Sequence, residues 1–151
     1  MGMTIAEKVL ARTSGLKQVH PGQIVDARLD RVVVDEELQR MQAEALAAGL
    51  PGGITKIWDM NKFHIMVEHL QPPMLKETPA RHQTIRKLVD DLGIPNFTDA
   101  TCGVVHQMAI EDVVLPGELG ICCDSHAPSW GGINCAGTGM GEREMIAALA
   151  T

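Results

Sequence analysis

Two places in this 151-residue chain set acid–base groups within a few residues of one another, and a third offers a lone histidine. Asp124-Ser125-His126 places an acceptor, a hydroxyl and an imidazole side by side, a set suited to carboxylate recognition and proton transfer. The same tripeptide suits an Asp/Ser turn carrying a surface histidine. Glu68-His69 places a carboxylate next to a base, and His106-Gln107 comes after Gly103 in what reads as a loop. An isolated histidine is more commonly a hydrogen-bonded structural residue than a catalyst. A carboxylate that holds an imidazole, however, fixes its tautomer and raises its basicity.

The cysteines offer a second chemistry. Cys102-x3-His106 and Cys123-x2-His126 together would make four zinc ligands. Against this, no CxxC pair occurs, and adjacent Cys122 and Cys123 on a strand would face opposite ways. An iron–sulfur cluster held wholly by this chain is disfavoured further, because clusters want three or four convergent thiolates. Four cysteines in a chain able to bury a core suggest reduced thiols, not a disulfide framework.

Between Gly131 and Gly141 lie five glycines, which let backbone approach a neighbour closely. The run lacks the spacing of a nucleotide loop, and Glu142 and Glu144 occupy the helix start that a phosphate would want.

Spacing predicts the helices and strands that hold these groups. Thr4-Ile5-Ala6-Glu7 has the form of a capping box and predicts a first helix. Ile24 to Val34 suits a strand pair or a strand and a bend, and Asp35 is placed to cap a helix over about 36–48, with Leu38, Met41, Ala45 and Leu46 on one stripe. A strand is expected from Lys62 to Val67, ended by Glu68-His69 and Pro72-Pro73. Thr78-Pro79 opens a helix lined by Ile85, Leu88, Val89 and Leu92, and Asn96 to Asp99 makes a short strand. Leu119 to Cys123 reads as a buried strand before Asp124-Ser125-His126, and a last helix starts at Glu142. That helix has no closing Gly, Asn or Pro and leaves Met145, Ile146 and Leu149 in need of a cover, so the chain reads as cut. Strands alternate with helices, which predicts one α/β domain over residues 1–151 with a largely parallel sheet flanked by helices. In such folds ligands meet the carboxyl ends of the strands, where both polar clusters fall.

Composition narrows the partners. Lys+Arg is 13, Asp+Glu is 19, and aromatic residues are 3% of the chain, so nucleic acid is not an expected partner. No stretch approaches the roughly 20 apolar residues of a membrane span, and Glu7 and Lys8 interrupt any signal peptide. A cytoplasmic location is the expectation.

Taken in order, MGMTIAEKVLAR with PGQIV, VEHLQP, GVVHQ, LPGELGICCDSHAPSWGG and GTGMGEREMIAALAT resemble the amino-terminal part of the aconitase superfamily. The likeness is greatest to the large subunits of the 3-isopropylmalate dehydratase and homoaconitase type. It implies a hydro-lyase that removes and re-adds water on a hydroxy di- or tricarboxylic acid, with a 4Fe-4S cluster whose open iron acts as a Lewis acid. The resemblance assigns catalytic roles to Glu68, His69, His106 and Asp124, and substrate contacts to Gln39, Ser125 and His126. It puts the cluster ligands outside this chain, on a further segment of the large subunit, and it implies a small-subunit partner. Two positions depart from the family pattern: Glu68 stands where Asp is usual and Ala127 where Thr is usual. Two rivals therefore stay open, a non-catalytic binding or assembly module of the same family and a small zinc-binding domain on Cys102, His106, Cys123 and His126.

Overall fold

Val32, Val33 and Val34 are each 0% exposed, and a strand apolar on both faces belongs in the middle of a sheet covered on both sides. The computed structural model describes residues 2–69, 72, 75–100 and 102–150, and in it these valines form β1 (Arg31–Val34), the centre of a five-stranded sheet. β2 (Phe63–Met66) and β4 (Leu119–Cys122) flank it, with β3 (Phe97–Thr98) outside β2 and β5 (Ala136–Gly139) outside β4. Every pairing is parallel: Val34 lies opposite Ile65 of β2, and Val33 lies opposite Cys122 of β4. The protein is an α/β fold with a parallel sheet, as its alternating pattern predicts.

The two faces of the sheet carry separate cores. Val32, Val34, Phe63, Ile65 and Ile121 pack under α2 (Leu38–Ala47), α3 (Thr78–Leu92) and α5 (Glu142–Ala150) through Leu38, Met41, Ile85, Val89, Met145 and Leu149. Val33, Met66 and Cys122 point the other way, under α4 (Val105–Met108), the π turn Ala109–Val113 that continues it, and a 3-10 segment, Ala127–Ile133. Each fully buried valine of β1 contributes roughly 1.5–3 kcal/mol relative to an exposed one. α1 (Ile5–Ser14) starts at the expected capping box: the Glu7 amide donates to Thr4 Oγ1, and the Thr4 amide donates to Glu7 Oε2 at 2.6 Å.

Several expectations need correction. Among the described residues no strand forms before Arg31, so of the two expected forms the strand with a bend, at Asp30, is the one found, and Ile24 is 97% exposed. α2 begins at Leu38, since Asp35 accepts from the Glu37 amide in a turn, and Leu46 falls off the buried stripe at 52% exposure. Thr78 is the first residue of α3 and makes no side-chain cap. α5 is covered: Met145 and Leu149 are buried against the core, so the helix does not present them to solvent. Pro73 and Thr151 lie outside the described residues. No helix among the described residues is long and apolar enough to cross a membrane.

Part of the glycine-rich run, Ala136–Gly139, is the edge strand β5, and close approach explains Gly137 and Gly139. A Cβ on Gly137 would stand 2.3 Å from the Ala127 carbonyl oxygen and 2.8 Å from the Trp130 ring, and one on Gly139 would stand 2.5 Å from the Asp124 carbonyl oxygen. Only glycine lets the segment after Asp124 lie directly on β5. Gly137→Ala is therefore expected to cost about 1–3 kcal/mol or more in denaturant unfolding, whereas Gly131→Ala, where an added Cβ meets nothing within 4 Å, should stay within about 0.5 kcal/mol. Equal midpoints for the two variants would refute the close-packing account.

Candidate active site

β1 connects onward to β2 on one side, yet its other neighbour is β4, reached only after the chain has crossed back. The strand order reverses there, and in open parallel sheets the crevice at the carboxyl ends beside that reversal is where ligands bind. Three strands deliver polar residues to it: β1 ends in Asp35-Glu36, β2 leads to Glu68-His69, and β4 leads to Asp124-Ser125-His126. His106 joins them from α4, a helical turn and not the expected loop.

Asp124 gathers three donors on one oxygen. His106 Nε2 lies 2.7 Å from Oδ1, His126 Nδ1 lies 2.9 Å from it, and the His126 amide donates to it at 2.7 Å. Burial alone would raise the Asp124 carboxyl, but these hydrogen bonds and the charge of His106 hold it below the usual range. An ionised Asp124 sets the proton of His106 on Nε2 and leaves Nδ1 as the second site, which is buried with no partner among the described residues. The rings of His126 and Trp130 sit 5.7 and 6.3 Å from that of His106, so the imidazole is walled in.

The second cluster is built differently. His69 Nδ1 lies 3.1 Å from Glu36 Oε2, 3.3 Å from Glu68 Oε1 and 3.6 Å from Asp35 Oδ2. Burial opposes charge on His69, but the Glu36 hydrogen bond and the three carboxylates outweigh it and raise its pKa. Asp35 is pushed up to about 7, by burial first and by the charge of Glu36, against a hydrogen bond from the Glu37 amide. Asp35 and Glu36 are the site residues that local reading misses. The one signal for them is the acidic run that begins directly after three valines.

The remaining candidates divide. Ser125 and His126 lie at the end of β4 beside Asp124, Ser125 and His126 both exposed. Gln39 sits on α2 and lines a cleft with Glu37, Arg40, Ala43 and Arg81. Neither metal-compatible group among the described residues contains a cysteine: one is His106, Asp124 and His126, the other Asp35, Glu36 and His69. The zinc set of Cys102, His106, Cys123 and His126 is therefore not assembled. Cys102 is exposed, while Cys122 and Cys123 point to opposite faces of the sheet. Burial pushes the Cys123 thiol up to about 12 and the Cys135 thiol up to about 11. His82 is 4% exposed, on the buried stripe of Ile85 and Val89.

The sequence profile of the Aconitase family (aconitate hydratase) matches residues 26–151, a span that holds every strand and every site residue above. The chain belongs to the aconitase family. It is 30% identical over its whole length to the 3-isopropylmalate dehydratase large subunit of Caldivirga maquilingensis, covering 35% of that protein. The large subunit of the same name from Saccharolobus solfataricus is 34% identical over 98% of the chain, which covers 35% of that protein, and that of Acetivibrio thermocellus is 33% identical over all of it, covering 36%. This aconitase-family chain thus spans about a third of the length of the curated relatives it matches.

The raised Asp35 has a measurable consequence for the aconitase-family chain. Its folded pKa lies above its unfolded value, so folding favours the neutral acid, and stability falls as pH rises from about 4 through about 7. Asp35→Asn keeps an acceptor for the Glu37 amide and removes the titration. Its advantage over the natural protein is expected to grow across that window, by on the order of 4 kcal/mol at most. Parallel stability curves in urea at pH 4, 5.5 and 7 would contradict it.

Proposed function

We propose that this chain is the amino-terminal segment, a single α/β domain, of a hydro-lyase of the 3-isopropylmalate dehydratase type. Its substrate is a small hydroxy di- or tricarboxylic acid, and it works with a further large-subunit segment and a small-subunit-type partner. The observation that carries the reading is the convergence of two carboxylate–imidazole sets, His106 with Asp124 and His69 with Glu36, at the carboxyl ends of neighbouring strands. Elimination of water needs a proton delivered to the departing hydroxyl and a proton taken from the adjacent carbon. A histidine held by a carboxylate performs either step.

The 4Fe-4S cluster that the family resemblance implies does not fit the cysteines of this chain. Cys122 and Cys135 are buried, Cys123 belongs to the opposite face from Cys122, and Cys102 is exposed. In this reading the thiolates come from outside residues 1–151, and this chain supplies orientation and proton handling.

His69 Nδ1, hydrogen-bonded to Glu36, leaves Nε2 on a half-exposed ring to face a ligand. With Nε2 of His106 on Asp124, its Nδ1 is the nitrogen left uncommitted among the described residues, buried behind the ring's neighbours. Exposed Ser125 and His126 offer a hydroxyl and a ring nitrogen for substrate carboxylates, and Gln39 is the more distant candidate. The two positions that depart from the family pattern each have a defined place in the structure. His69 finds its hydrogen-bond partner in Glu36, and Ala127 is wholly buried at the start of the 3-10 segment, away from solvent.

In the complete cluster-loaded assembly, His106→Ala is expected to lower turnover about 10²–10⁴-fold, while exposed His20→Ala leaves it unchanged. Asp124→Asn should reproduce much of the loss, and the double variant should be little worse than the worse single one. Full additivity, or near-normal turnover of His106→Ala, would overturn the assignment.

A further inference from the structure

We infer that Glu36 is the positioning residue for His69, fixing both its ring and its tautomer, and that its sequence neighbour Glu68 does not have this role. The inference rests on the proposed hydro-lyase reading for its purpose, though not for its geometry. Glu36 uses both carboxylate oxygens on one short segment: Oε2 lies 3.1 Å from His69 Nδ1, and Oε1 accepts from the Glu68 amide at 2.9 Å. One side chain thus holds the ring, and the peptide that carries it, to the end of a different strand.

Glu36 is 1% exposed, so its side chain is locked by packing, and a buried carboxylate is tolerable only where donors meet it. The contact from the Glu68 carboxylate is longer, at 3.3 Å, and makes no hydrogen bond to the ring among the described residues; Asp35, at 3.6 Å, stands beyond hydrogen-bond reach. Among the described residues these three acids, two from the end of β1 and one from the segment after β2, are the titratable groups that act on the imidazole. With Nδ1–H committed to Glu36, the proton the ring exchanges is on Nε2. Glu68 thus makes a close ionic contact with His69 without the hydrogen bond that sets the tautomer.

Histidine labelled with ¹⁵N in the 151-residue chain reads the tautomer and titration of His69 directly. Glu36→Gln is expected to lower its pKa by about one unit and to move the neutral ring's proton from Nδ1 to Nε2, since the new amide can donate to Nδ1. Glu68→Gln should shift the pKa by less than half as much and leave the tautomer alone. An effect of Glu68→Gln equal to or larger than that of Glu36→Gln, or an unchanged tautomer in the latter, overturns the inference. If Glu36→Gln loses its dispersed amide spectrum, Glu36→Asp replaces it: the shorter carboxylate cannot span both contacts, so a weakened Nδ1–H preference supports the role and an intact one refutes it. The titration needs neither substrate nor cluster, so an inactive assembly and a failed inference are separate results.

Discussion

The polar end of this molecule depends on one abrupt change of character in its central strand, three fully buried valines succeeded at once by Asp35, Glu36 and Glu37. In a parallel sheet every strand ends on the same side, with neighbours about 4.8 Å apart. β1 is bonded to both β2 and β4, so the segments leaving those two strands are set down on either side of Asp35-Glu36. The register is held by packing: a slip of one residue would turn Val32 and Val34 to the face now lined by Trp130, and Val33 to the face of α2 and α3. The same slip would displace both carboxylates from the histidine they meet.

The two clusters answer the cost of burying charge in different ways. Around Asp124 three N–H donors meet one oxygen, and the carboxylate stays ionised despite burial. Around His69 the acids outnumber the donors. Asp35 yields by holding its proton to about 7, and His69 answers with a raised affinity for its own. A buried pair of like charges cannot both ionise cheaply, and an imidazolium beside them is the least costly compensation.

Much of the frame is legible because its signals are local. The capping box at Thr4, the valine run of β1 and the Leu119–Cys122 strand each sit within a few residues, and the strand-end positions of Glu68-His69 and Asp124 derive from them. The β1 acids behind His69 are not legible, since Glu36 meets His69 across 33 residues and nothing near either one announces it. β5 is hidden because glycines that read as loop serve close packing against Ala127 and Asp124. Four-residue α4 carries too little periodicity to be read, yet it delivers His106. His82 can be placed by counting back three residues from Ile85 along the buried stripe.

Contrast between the clusters also bears on how one site would run both halves of an elimination. His69 lies among three carboxylates and half in solvent, an arrangement that favours the charged ring and suits it to give a proton to a departing hydroxyl. His106 is 13% exposed, enclosed by Trp130 and His126, and its Nε2 is already committed to an ionised Asp124. Enclosure excludes competing water, and the commitment of one nitrogen leaves the other in a single fixed direction. Within the proposed reaction, Asp124 thus orients His106 and Glu36 orients His69, and the two act through separate hydrogen bonds on opposite sides of one strand.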